Sequence, residues 1–276
     1  MRSSPSCGHS RRAEMREGDA NLITAEASAN RLLESYGICR PADIRIEDIA
    51  WDLGIEIEVD RLPKARGHLV RKCNTGIITI SDAISDEGER RFVIAHELGH
   101  WQLHRYHSQF FFCDEENLRE YRNSGPELEA NTFASELLVP TRMVPRAKRV
   151  ADPSWETIAW LKSEFSVSQT SAAVRYAGLC EHAVLVAFSN GRQVMWWRRN
   201  DRKADMLWLE SRQQIDEESQ LSDIVNNGAV DGELVPVSWH AWFPHLERYD
   251  GAELFELSVP VDDNGTMMSL LWAPGL

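Results

Sequence analysis

"RRFVIAHELGHWQLH", residues 90–104, sets His96 and His100 either side of Glu97 in a run that otherwise reads as a buried helix. Residues four apart on an α-helix face the same way, so the two histidines can offer imidazole nitrogens to one ion. Glu97 lies about 100° round from His96, near enough to hold a water on that ion. Zinc accounts for the arrangement, because three protein ligands hold it while an open fourth position keeps a water whose pKa falls to about 7. Glu97 is then the general base that takes the water's proton as it attacks a peptide carbonyl. If His96 and His100 were merely hydrogen-bonded core residues, Glu97 would be an awkward charge to bury. Small Ala95 and Gly99 beside the histidines permit another element to approach closely. Ser85 or Asp86 caps the helix, and acidic residues occupy its first turn.

A third ligand must come from elsewhere. The extended pattern with a third histidine six positions after the second needs a glycine at 103 and a histidine at 106, where this chain has Leu103 and Tyr106. His104 and His107 read as helix-end or loop residues, since successive ligands along one helix fan around its axis. The better source is "PELEANTFASELLVP", residues 126–140, a helix with Pro126 at its start. Glu127 and Asn131 share one of its faces, so Glu127 can bind the metal while Asn131 orients a histidine or the carboxylate. Glu129, on another face, is the competing ligand, and both acids also suit a helix N-terminus.

Working outward, "NLITAEASANRLLESYGI" spaces Leu22, Ala25, Ala29, Leu32 and Leu33 at helical intervals, and a helix over "PADIRIEDIAWDLG" follows. "IEIEV", "GHLVRK" and "IITIS" predict three strands, the last two joined by hairpin punctuation. Residues 105–125 have no clear period and read as a loop with at most a turn of helix. "SWETIAWLKSEFSVSQTSAAVRYAGL" gives two helices, the second capped by Ser168. Beyond about residue 181 the texture becomes strand-like in "AVLVAFS", "QVMWWRR", "VPVSW", "LFELSVPV" and "MMSLLWA". The expected division is a mobile tail at 1–19, a catalytic domain at 20–150, a helix-turn-helix-like subdomain at 151–180 and a mixed α/β domain at 181–276.

Apolar residues make up 43% of the 276 and charged residues 26%, which fits a folded globular chain rather than a disordered one. A net charge of −13 repels phosphate backbones. Five widely spread cysteines without a C-x-x-C pair read as reduced thiols, and no window has the apolar length of a membrane span. The expected location is the cytoplasm.

"ERRFVIAHELGH" followed by "ELEANTFASELLVP" resembles the ImmA/IrrE-type zinc metallopeptidases, a gluzincin-like family of bacterial and mobile-element regulators. "DIAWDLGIEI", "TGIITIS" and "LKSEFSVSQTSAAVRYAGL" extend the resemblance over roughly residues 26–180. It implies an α+β, zincin-like domain and a Zn²⁺ cofactor held by His96, His100 and Glu127. Glu127 is chosen over Glu129 because in the family the third ligand lies four residues before the asparagine. It further implies an endopeptidase that cleaves a helix-turn-helix repressor in stress or mobile-element regulation. Family members of the radiation response carry a GAF-like domain after the helical region, and residues 181–276 are expected to be a short relative of it. The insert between the ligand helices departs from the family pattern.

Two rival readings remain at the level of sequence. "FSVSQTSAAVRY" resembles a DNA-binding turn, but its second helix carries Arg175 without a basic cluster to track phosphates. Alternatively, a zinc-stabilised core could hold a repressor without cutting it, a role with no need of Glu97 as base. "WWRRNDRK", residues 196–203, reads as a solvated hairpin, and Trp208, Trp239, Trp242 and Trp272 as core residues. Tyr106, His107 and Tyr121 are candidate oxyanion donors among which the sequence does not choose.

Overall fold

The computed structural model describes residues 21–63, 65–104, 110–114, 125–228, 232–246, 252–262 and 264–276, with the backbone alone considered at 110–114. The segment 1–19 lies outside these residues, as do Tyr106, His107, Tyr121 and the turn of helix allowed within the insert.

Helix α1 (Leu22–Ser35) starts where the Asn21 side chain accepts a hydrogen bond from the Thr24 N–H at 2.9 Å, and it buries Ala25, Ala29, Leu32 and Leu33. Leu22, expected on that stripe, is exposed. The next expected helix divides into a 3₁₀ turn at Pro41–Asp43 and α2 (Ile46–Asp52). Strands β1 (Ile55–Asp60), β2 (Ala65–Lys72) and β3 (Thr75–Ser81) follow as the pattern predicts. A fourth strand, β4 (Phe110–Asp114), corrects the reading of the insert as loop. Its run of three phenylalanines has high β propensity, and antiparallel pairing with β2 satisfies a backbone edge that would otherwise stay open. The sheet order is β1-β3-β2-β4, with β1 parallel to β3.

Helix α3 (Glu87–Leu103) is capped by Asp86, which accepts from the Glu89 N–H at 2.7 Å. Every residue from Phe92 to His100 is buried, so the helix runs through the interior rather than along a surface. Helix α4 (Pro126–Leu138) opens after Gly125, whose φ of 70° suits glycine at the cap. The two helices touch at Gly99, where an added Cβ would lie 2.9 Å from the Ala130 Cα. Gly99→Val is therefore expected to destabilise the protein by about 3 kcal/mol, the upper end for an overpacked core, and to weaken metal retention by pushing α4 away. Urea unfolding and zinc content check both; an unchanged midpoint would show that the contact relaxes freely.

After α5 (Arg146–Val150), α6 (Trp155–Phe165) and α7 (Gln169–Leu179) form the expected helix pair, with Ser168 capping α7 by accepting from the Ser171 N–H at 3.1 Å. The turn between them sits on α3, because a Cβ at Gly88 would fall 2.1 Å from the Ser168 nitrogen. The second sheet has the antiparallel order β6-β5-β9-β8-β7, built from β5 (Val184–Asn190), β6 (Gln193–Arg199), β7 (Val235–Pro236), β8 (Phe255–Pro260) and β9 (Thr266–Trp272). "VPVSW" supplies only the two residues of β7 before α9 (Trp239–Trp242) begins, and α8 (Gln220–Asn227) also falls between strands.

The twofold period of β5 divides its side chains between two cores. Val184, Val186 and Phe188 join a cluster continuous with α1, α3, α4, α6 and α7. Leu185 and Ala187 face a second cluster with Leu221, Trp242 and Phe243. Buried Glu256 ties that second layer to the sheet by accepting from the Leu221 N–H at 2.7 Å, the Gln220 N–H at 3.0 Å and the Trp242 Nε1–H at 2.8 Å. Trp208, expected in the core, is instead 39% exposed and packs at a tilt against the His245 ring.

Candidate metal centre

His96 and His100 lie one turn apart on α3, fully buried, with their Nε2 atoms 3.0 Å from each other. Glu127, in the first turn of α4, places Oε2 3.2 Å from His96 Nε2 and Oε1 3.3 Å from His100 Nε2. Metal–ligand bonds of about 2.0–2.2 Å in tetrahedral geometry set ligand atoms roughly 3.3 Å apart. One donor atom from each of the three side chains can therefore reach a single metal ion. Among the described residues they are the group of histidine, cysteine and acidic side chains able to share an ion.

The ring nitrogens facing away from this triangle are engaged. His96 Nδ1 lies 2.9 Å from the Asn131 amide oxygen, which accepts its proton and leaves Nε2 with a lone pair. His100 Nδ1 lies 3.0 Å from Nδ1 of His104. His104 Nε2 in turn meets Glu129 Oε2 at 2.9 Å, and the Asn21 N–H donates to Glu129 Oε1 at 2.6 Å. Glu129 is therefore placed behind His104 and outside the triangle. His104 does end the helix, as the sequence suggests, but it is 2% exposed and in contact with a candidate ligand. Its spacing, one turn beyond His100, was the available signal.

Burial and the clustered acids set opposing pressures. Burial drives the His100 pKa down to about 4, despite its contacts with Glu127. At His96 burial also acts downward, but Glu127, Glu97 and Asn131 together outweigh it and raise the pKa. Burial would raise Glu127, yet its contacts with His100 and His96 hold it well below the usual carboxylate range. An anionic carboxylate between two buried imidazoles is a favourable setting for a cation.

Glu97 is fully buried next to His96 on α3. Strand β2 passes close beside it because position 67 is glycine: a Cβ there would lie 2.4 Å from Val93 Cγ1 and 3.4 Å from Glu97 Oε1. The carboxylate thus borders the sheet, and its charge acts on His96.

Residues 50–176 match the family model described as the IrrE N-terminal-like domain, Peptidase M78. Immunity region protein 2 of Bacillus phage phi105 is 34% identical over 128 residues, covering 45% of this chain and 73% of that protein. The chain belongs to the ImmA/IrrE family. As a family member it is expected to carry a metal, and the triangle of nitrogen and oxygen donors fits one. A transcriptional regulator of Mycobacterium tuberculosis shares the fold at a TM-score of 0.58 and 16% identity, covering 91% of this chain and 76% of that one. The likeness thus extends beyond the family match into the second sheet.

Proposed function

We propose that the protein is a zinc-dependent endopeptidase with a zincin-like catalytic unit, and that its substrate is a helix-turn-helix repressor whose cleavage relieves repression. The observation that carries this reading is Glu97, fully buried and one residue along α3 from His96 of the group His96, His100 and Glu127. Zinc, when bound, would lower the pKa of a water and polarise the scissile carbonyl. His96 and His100 contribute neutral Nε2 lone pairs, and Glu127 contributes the anion that balances part of the ion's charge. Glu97 accepts the attacking water's proton and returns it to the leaving amine, so one buried carboxylate serves both proton transfers.

A protein partner is favoured over DNA by the second helix of the turn motif. Arg175 points inward, pairing with Glu136 and donating from Nε to the Val139 carbonyl at 2.9 Å. Arg175 is the one basic residue of α7 and it is buried, so this helix offers no cationic side chain to track a phosphate backbone. The phage relative is an immunity region protein, which supports a regulatory partner such as a repressor. No described helix is long and apolar enough to cross a membrane. The setting proposed is the cytoplasm and the regulation of transcription there, under stress or mobile-element induction; the free thiols of Cys39, Cys73 and Cys180 are compatible with a reducing compartment. Residues 20–150 would form the peptidase unit, 151–180 its helical bracket and 181–276 a partner-binding or GAF-like sensory unit.

The test is to load purified protein with zinc sulfate and digest a host lysate, following new peptide termini by mass spectrometry. A few new termini, suppressed by a chelator and restored by zinc, are expected. Stoichiometric zinc without any chelator-sensitive cleavage would favour the zinc-stabilised regulator that binds a repressor without cutting it.

A further inference from the structure

We propose that His104 and Glu129 form a positioning relay that fixes the proton of His100 on Nδ1, and so keeps its Nε2 lone pair directed at the metal. The proposal rests on metal binding by His96, His100 and Glu127. It adds two residues that neither supply ligand atoms nor touch the reacting groups.

Three contacts run outward from His100 through His104 and Glu129 to the start of α1. A metal held by His100 Nε2 leaves that imidazole its one proton on Nδ1, so at the 3.0 Å contact between the two Nδ1 atoms His100 donates and His104 accepts. His104 then donates from Nε2, and Glu129 Oε2 lies 2.9 Å away to accept. Glu129 cannot readily swing away, because the Asn21 N–H at the start of α1 holds its other oxygen at 2.6 Å.

The arrangement also explains the spacing within α4. Glu127 faces the ion, Asn131 orients His96, and Glu129 between them reaches the C-terminal end of α3 to orient His100 through His104. Both candidate ligand histidines thus take their tautomer from the same helix, His96 directly through an amide oxygen and His100 through an intervening ring.

The experiment compares zinc affinity, by competition with a chromophoric chelator, for the full chain, Glu129→Gln, His104→Phe and the double variant, with His100→Ala as control. The isosteric amide of Glu129→Gln can donate as well as accept, so it no longer imposes a direction. Each single change is expected to lower affinity about 10–100-fold, and the double variant to lose no more than the worse single, since both break one chain. Nitrogen-15 spectra of the zinc-loaded protein should show His104 as the Nε2–H tautomer in the full chain and a mixture in Glu129→Gln, with the unfolding midpoint unchanged. That tautomer change would not accompany a purely structural defect. Wild-type affinity in both single variants would overturn the relay and leave the metal site standing. Equal, weak binding by the full chain and His100→Ala would overturn the metal reading, and the relay with it.

Discussion

Glu97→Gln is expected to retain zinc at the wild-type stoichiometry and to lower peptide hydrolysis by about 10²–10⁴-fold, the usual contribution of a positioned general base. The substitution keeps the size of a fully buried side chain that lies against Gly67, so the fold has little reason to change. It removes the negative charge and with it the ability to accept a proton. Because Glu97 is outside the triangle of candidate ligands, the ion should stay. Atomic emission and digestion of a peptide library read the two effects separately. Loss of zinc from this variant would assign Glu97 a structural part instead.

Glu127→Ala should show the opposite pattern, losing the metal first and activity as a result. The substitution deletes the only acid in the triangle and leaves two buried imidazoles 3.0 Å apart with no anion between them. Its effect on zinc affinity should exceed the roughly 10–100-fold that loss of an outer hydrogen-bond partner costs. Zinc competition measurements on the variant decide this. Full occupancy would transfer the ligand role to Glu129 or His104, and with it the geometry of the whole site.

The parts of the site that the sequence reveals are those governed by helical spacing. His96 and His100 were legible because four residues return to the same face of a helix that Asp86 caps. Gly99 beside the histidines signalled the close crossing that brings Glu127 within reach. Choosing Glu127 over Glu129 took the family pattern, since both acids suit the first turn of a helix. The partnership of His104 with Glu129 was hidden because it depends on the crossing of two helices and on the start of a third, separations of 25 and 108 residues.

Other features escaped for related reasons. Strand β4 has aromatic residues without alternation, and it exists through pairing with β2, a relation between distant segments. The inward turn of Arg175 is set by Glu136, 39 positions earlier, which local pattern cannot show. In β5 the near-continuous apolar run signals a strand, but only the three-dimensional arrangement shows that its alternate residues serve two different cores.

The most direct measurement compares protein N-termini across the host proteome in cells carrying the wild-type chain and cells carrying Glu97→Gln, each under several stresses. A regulatory peptidase predicts a new N-terminus inside a small DNA-binding repressor, present with wild type and absent with the variant. A zinc-loaded protein that produces no Glu97-dependent terminus under any stress would contradict peptidase function and leave a metal-stabilised binding protein in its place.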